Sequence, residues 1–266
     1  MVYETIEVRP MTRCIGAEIF GIDLSTRLSA QTVDELRRAL TQHQVIFFRD
    51  QALSHKDHIR FGRRFGNLAI HSGVAGLPDY PEIVAIHADG SSKYVAGETW
   101  HSDLSCDAKP PMGSILYLHT VPEDGGDTVF ASMYAAYDAL SRPMQEFLEP
   151  LTATHDGEHV YRPLVNDPAK RFPCNQHPVV RVHPVSGRKC LYVNSSYTTK
   201  IDQLPKSESD AVLNFLYVHC MNPNFQARFR WRAGSIAFWD NRCTQHQAIW
   251  DYFPEVRSGY RVTVGG

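Results

Sequence analysis

The chain has 266 residues, 43% of them hydrophobic and 21% charged, proportions of an ordinary globular protein that exclude the disordered, fibrous and collagen-like classes. Lys plus Arg (27) nearly balances Asp plus Glu (29), and the formal charge of −2 supplies no field to draw nucleic acid or an anionic membrane. No apolar run approaches the roughly 20 residues of a membrane span, and Met1-Val2-Tyr3-Glu4 shows neither a basic nor an apolar targeting region, so a cytoplasmic protein with no nucleic-acid or membrane partner is expected.

In chain order, Ser29 caps a predicted helix whose Val33, Leu36 and Leu40 share one face. Val45-Ile46-Phe47-Phe48 is a short apolar run that reads as a buried strand, and Ser54 with Asp57 three residues later resembles a capping box before Ile59. Gly73 to Pro81 is long enough to be a functional loop. A second buried strand is predicted at Ser114-Ile115-Leu116-Tyr117-Leu118, a helix around Ser132 to Leu140, and another long loop from Pro163 to Pro178. Ser207 opens a predicted helix with Val212, Phe215, Leu216 and His219 at helical spacing, and Ser235-Ile236-Ala237-Phe238-Trp239 reads as a third buried strand. No repeat, low-complexity tract or linker divides the chain, so residues 1–266 are expected to form a single domain. The six cysteines are scattered singly and are expected to be reduced thiols. The thirteen histidines are more than one site uses, which leaves the question of which differ from the rest.

Trp100-His101-Ser102-Asp103 is the most informative local feature. In an extended segment the period of two sends His101 and Asp103 to one side, about 6 to 7 Å apart at Cα, and Ser102 to the other. An imidazole and a carboxylate can then converge on one ion. A lone pair of this kind is weak evidence, but His246 arrives far downstream, after the third strand, in Trp239-Asp240-Asn241-Arg242-Cys243-Thr244-Gln245-His246. Two histidines and one carboxylate with open positions opposite point to non-heme Fe(II) that activates O2. Zinc is the competing ion, yet a zinc hydrolase needs a nearby base, and no HExxH helix is present. Arg257, eleven residues beyond His246, could hold a dicarboxylate by a bidentate contact while the other end of that molecule chelates the metal. Trp239 and Phe238 read as core, and Asp240 and Asn241 as residues that fix the turn before His246.

With these motifs the sequence resembles the taurine dioxygenase and aryloxyalkanoate dioxygenase family of Fe(II)- and 2-oxoglutarate-dependent oxygenases. The resemblance runs from Gly16-Ala17-Glu18-Ile19 through Val45-Ile46-Phe47-Phe48-Arg49, Arg64-Phe65-Gly66 and Gly125-Gly126-Asp127-Thr128 to Arg261, and so covers nearly the whole chain. It implies a mainly β fold with flanking helices, built on a double-stranded β-helix or jelly roll. It implies His101, Asp103 and His246 as iron ligands, and Thr128 and Arg257 as the residues that hold the distal carboxylate of 2-oxoglutarate. Arg261 and His71 match positions that face the primary substrate, and Tyr197, in the stretch Tyr192 to Thr199, is a candidate pocket wall. The implied reaction couples oxidative decarboxylation of 2-oxoglutarate by O2, giving succinate and CO2, to hydroxylation of a substrate C–H bond. Hydroxylation beside an ether oxygen, a sulfonate or a sulfate ester becomes cleavage.

A small organic anion is expected as the substrate. Family members that hydroxylate taurine carry an Asn shortly before the HxD motif and a Tyr three residues after the substrate histidine; Gly97 and Val74 stand there in this chain. The expectation is therefore a less polar pocket that favours an aryloxyalkanoate or another carboxylate, with taurine, other sulfonates and alkyl sulfates as the alternative. A non-enzymatic jelly-roll binding module is the reading from another class; it predicts a broken triad or a missing Arg257. Family members are often dimers or tetramers, and a homo-oligomer is expected on the resemblance alone.

Overall fold

The computed structural model describes residues 2–165 and 167–266; Met1 of the opening tetrapeptide and Asn166 of the Pro163 to Pro178 segment lie outside the described residues. An eight-stranded sheet carries, in spatial order, Glu7–Pro10, Ala17–Phe20, Val45–Phe48, Ser235–Asp240, Gly113–Thr120, Arg257–Val264 and Leu68–Ala69, with Ile83–Ala88 also paired to Arg257–Val264. Its pairs are antiparallel except Ala17–Phe20 with Val45–Phe48. A smaller antiparallel sheet, Gln226–Phe229, Thr128–Ser132 and Thr244–Ala248, completes the jelly roll.

The strand Val45–Phe48 shows why the sequence reads as an unbroken apolar run. It is buried on both faces, as central strands with two covered sides must be. Val45 and Phe47 point into the core between the sheets with Phe130, Phe229, Trp231 and Trp239, where Phe47 stacks on Phe229 at 4.0 Å. Ile46 and Phe48 point the other way, into a core shared with the two N-terminal helices. Those helices, Ala30–His43 and His55–Gly62, begin where their caps place them. Ser29 accepts from Thr32 N, and Ser54 with Asp57 forms a complete capping box. The outer side of the smaller sheet is covered by Met133–Asp138, Arg142–Leu148 and Lys206–Cys220.

Two expectations need correction. The third long helix starts at Lys206 behind Pro205, not at Ser207, and no side chain caps it. Its buried stripe is Ser209, Leu213, Leu216 and Cys220, packed against the core under the smaller sheet, so Phe215 lies on the outer side. The Pro163 to Pro178 segment is not loop throughout: Cys174–Pro178 is a strand paired with Thr152–Asp156. All six cysteines are free thiols, and among the described residues no helix is long and apolar enough to cross a membrane.

Candidate active site

A cavity of about 460 Å³, measured with its mouth, lies between the two sheets. Strand periodicity explains its lining. In Thr244–Ala248 paired with Thr128–Ser132, the register sets His246 opposite Phe130 and Ala248 opposite Thr128, and all four side chains face the cavity. In Arg257–Val264, Arg257 and Arg261 lie two pleats apart, so both point to the same side, separated by about 13 Å of strand. Ile86, Leu116 and Trp239 complete the wall from the larger sheet.

His101 joins this cavity by pairing with His246: each backbone N–H donates to the other's carbonyl, at 3.1 and 2.8 Å. The segment is not extended throughout, since Asp103 already lies in a turn completed by Leu104 in the left-handed region (φ 51°). The two side chains converge even so. Asp103 Oδ1 lies 3.6 Å from His101 Nε2 and 4.0 Å from His246 Nε2, while Ser102 points away and donates to Thr244 O. His101 Nδ1 lies 2.7 Å from Thr99 O, which can only accept, so Nδ1 carries a proton and Nε2 is the nitrogen left to bind a metal beside the carboxylate oxygen. His246 is buried and without a hydrogen-bond partner for Nδ1 among the described residues, and burial pushes its imidazole well below the usual range, which keeps it neutral. Two imidazole nitrogens and one carboxylate oxygen, all within 4.8 Å, are a donor set that fits a divalent cation.

Burial alone would raise the pKa of Asp103, but the Arg261 guanidinium, with smaller help from the imidazoles, holds the carboxyl well below its usual range. Arg261 Nη1 donates to Asp103 Oδ1 at 2.8 Å, while its buried Nε finds no partner among the described residues. At the far end of the cavity Arg257 Nε donates to Gly126 O at 3.0 Å and Nη2 to Thr128 Oγ1 at 3.3 Å. Gly126 has φ +67°, and a Cβ there would stand 3.2 Å from Arg257 Cδ, so glycine permits this approach. Burial pushes Arg257 down to about 10, which leaves it cationic at neutral pH.

Sequence reasoning missed Trp231. Its indole Nε1 donates to Thr128 Oγ1 at 2.9 Å, and the Arg257 guanidinium lies 5.6 Å from its ring centre. Thr128 thus accepts two hydrogen bonds and keeps its own proton free to donate into the cavity. A buried indole N–H needs an acceptor, and that rule was the only signal in the sequence. His71 and Tyr197 are not among the side chains that line the cavity. His71 Nδ1 accepts from Gly73 N and Val74 N, both at 3.0 Å, so its Nε2 carries the proton and can donate. Burial first, then the Arg261 charge, push His71 down to about 3. Tyr197 is buried with its hydroxyl 2.8 Å from that of Tyr161, whose ring meets His71 edge-on at 5.7 Å. Gly97 does line the cavity, but in the left-handed region (φ +84°), with a Cβ position only 2.9 Å from His101 Cε1. Backbone geometry beside His101 therefore favours glycine there, apart from any role in substrate choice.

A two-sheet jelly roll holding a His-Asp-His cluster, with a buried arginine beside a threonine hydroxyl across the same cavity, has the build of a metal- and dicarboxylate-dependent oxygenase. The family model described as "Taurine catabolism dioxygenase TauD, TfdA family" matches residues 7–263, and the chain belongs to this family. The chain is 36% identical, over 98% of its length and 90% of the relative's, to an alpha-ketoglutarate-dependent sulfate ester dioxygenase of Pseudomonas putida. It is 35% identical to an alpha-ketoglutarate-dependent sulfonate dioxygenase of Saccharomyces cerevisiae, covering 97% of this chain and 66% of that protein. A crystal structure of a taurine dioxygenase from Burkholderia xenovorans superposes with a TM-score of 0.87 at 36% identity, covering 99% of this chain and 90% of the other. The chain is an Fe(II)- and 2-oxoglutarate-dependent dioxygenase that uses O2, alpha-ketoglutarate being the older name of the cosubstrate.

Proposed function

We propose that this dioxygenase acts on a small sulfonate or sulfate ester, hydroxylating the carbon that bears the sulfur or the ester oxygen. The hydroxylated product then collapses to an aldehyde or ketone and releases sulfite or sulfate. One oxygen atom of O2 enters succinate and the other enters the substrate. In this reading His101, Asp103 and His246 hold Fe(II), which when bound supplies the oxidative chemistry. Arg257 and the Thr128 hydroxyl receive the distal carboxylate of 2-oxoglutarate, fixing it for chelation. Arg261, with His71 Nε2–H beside it, receives the anionic head of the substrate, and Tyr197 with Tyr161 backs that end.

The observation that carries the reading is Arg261. It is a largely buried cation, paired on one side with Asp103, that lines a cavity otherwise walled by Ile86, Leu116, Phe130 and Ala248, which suits an anion with an apolar body. A carboxylate would satisfy the same guanidinium, and the sequence favours an aryloxyalkanoate only through Gly97 and Val74, which stand where taurine-hydroxylating members carry polar residues. The relatives shift that preference, because both named above act on sulfur oxyanions.

The test is a substrate screen with Fe(II) and 2-oxoglutarate across alkyl sulfonates including taurine, alkyl sulfates and aryloxyacetates, reading succinate together with sulfite, sulfate or phenol. Sulfite or sulfate release matching succinate, lost in Arg261→Gln, is the expected result. Phenol as the only product sinks the sulfur reading and restores the aryloxyalkanoate.

A further inference from the structure

We infer that Asn241 and Ser114 are positioning residues that clamp the Asp103 carboxylate by Oδ2, so that only Oδ1, which also accepts from Arg261 Nη1 at 2.8 Å, is turned toward the histidines and a metal; this rests on the ligand set proposed above. The clamp is a closed ring of three hydrogen bonds. Asp103 N donates to Asn241 Oδ1 at 3.2 Å, Asn241 Nδ2 donates to Ser114 Oγ at 3.0 Å, and Ser114 Oγ donates to Asp103 Oδ2 at 2.6 Å.

Donor and acceptor accounting leaves no other arrangement. Asn241 Oδ1 also accepts from Trp239 Nε1 at 2.9 Å, and a flipped amide would set its NH2 against two N–H donors. With the amide fixed, Ser114 Oγ must accept from Nδ2, and its single proton goes to Oδ2. Trp239, Asn241, Ser114 and Asp103 are all at most 3% exposed, so water does not compete for these groups. Both clamp residues sit on rigid supports. Ser114 belongs to the central strand Gly113–Thr120, flanked on both sides, and Asn241 follows Ser235–Asp240 with its own N–H held by Met112 O at 2.9 Å.

The consequence is steric and electrostatic. Oδ2 is held by a short hydrogen bond from Ser114, which opposes rotation of the carboxylate to present both oxygens. A carboxylate donating through one atom takes one coordination position and leaves room for a bidentate cosubstrate and O2; one donating through two would take a position from them. Asn241 and Ser114 hydrogen-bond Asp103 and each other but neither histidine, so both act through Asp103.

The experiment titrates Co(II) alone into the metal-free wild type, Ser114→Ala, Asn241→Ala, the double variant and Asp103→Ala, and records the dissociation constant, the visible Co(II) spectrum and the metal-free unfolding midpoint. Each single variant is expected to weaken Co(II) by about 10- to 100-fold. The double variant should lose little more than the worse single one, because the ring fails as a unit. Ser114→Ala should change the Co(II) spectrum while melting, metal-free, within a few degrees of wild type. If Asn241→Ala does not fold, Ser114→Ala decides. Wild-type affinity and spectrum in Ser114→Ala, or a weakening that only follows lost metal-free stability, overturns the clamp and leaves the ligand set standing. Co(II) binding untouched by Asp103→Ala overturns the ligand set and the clamp with it.

Discussion

Two groups of metal-ligand side chains are buried among the described residues, each within 4.8 Å: His101, Asp103 and His246, and, behind the smaller sheet, His183, Asp240 and Cys243. By residue type and distance they are near twins. Hydrogen-bond accounting separates them. Both oxygens of Asp240 are used: Oδ1 accepts from Arg242 N at 3.0 Å and Nε at 2.8 Å, and Oδ2 from Arg242 Nη2 at 2.6 Å and from His183 at 3.0 Å. His183 Nδ1 accepts from Val185 N and Ser186 N, so the nitrogen that faces Asp240 carries a proton and offers no lone pair. Burial pushes the Cys243 thiol well up, so it stays protonated. Every charge there is matched within the protein. In the first group Asp103 is likewise used at both oxygens, Oδ1 by Arg261 and Oδ2 by Ser114, but the histidines differ: the nitrogens that face the carboxylate stand 3.6 and 4.0 Å from it, beyond hydrogen-bond distance, and His246 Nδ1 has no partner among the described residues. Proximity nominates a metal site; unspent imidazole nitrogens distinguish one from a salt-bridge clamp.

Substitutions that treat the two groups alike are expected to part sharply. His246→Ala should lower succinate formation by roughly 1000-fold or more, a barrier increase of about 4 kcal/mol, and should abolish Co(II) binding; retention of either would show that the first group is not the ligand set. Asp240→Asn should act on the fold instead. It strips the charge that Arg242 and His183 answer, and breaking such a buried pair costs about 3 to 5 kcal/mol, read as a lower urea midpoint. A variant as stable as wild type would mean the clamp carries nothing. Arg257→Ala tests the cation at the opposite end of the first cavity. The loss of charge-assisted hydrogen bonds worth about 1.5 to 3 kcal/mol should raise KM for 2-oxoglutarate by roughly 10- to 100-fold, with a smaller change in kcat. An unchanged KM would detach Arg257 from the cosubstrate.

The sequence discloses most of the first group and almost nothing of the second, for a physical reason. Thr128, His246, Arg257 and Arg261 stand on strands and His101 on a bridge to His246, where a period of two makes the facing side readable, whereas Asp103 is brought to the same side by a turn. The helix caps Ser29 and Ser54 are equally local signals. Contacts between distant side chains leave no such trace. Asn241 reads as a turn residue, and its bond to Asp103, 138 positions away, depends on how Ser235–Asp240 and the turn at Asp103 lie in space. Trp231 reaches Thr128 across 103 positions in the same way. Gly97 was legible as an absence of polarity but not as a left-handed backbone under His101. The substrate was illegible because one guanidinium serves a carboxylate and a sulfur oxyanion equally well.

The smallest expected effect cuts the comparison most finely. His183→Gln removes the imidazole but leaves the Asp240–Arg242 pair, so the fold should lose only about 1 to 2 kcal/mol, the worth of one hydrogen bond to a charged group together with two backbone N–H groups left to repack. The metal affinity should not move: Co(II) should bind with a dissociation constant within about twofold of wild type, since His183 and Asp103 share no hydrogen-bond partner and Asp240 stays held by Arg242. Wild-type protein should take up one equivalent and no more. A second equivalent that disappears in His183→Gln would show that the arginine can be displaced from Asp240 by a cation. Hydrogen-bond saturation would then have failed to tell a clamp from a metal site, and the distinction between the two groups would have to rest on something other than unspent imidazole nitrogens.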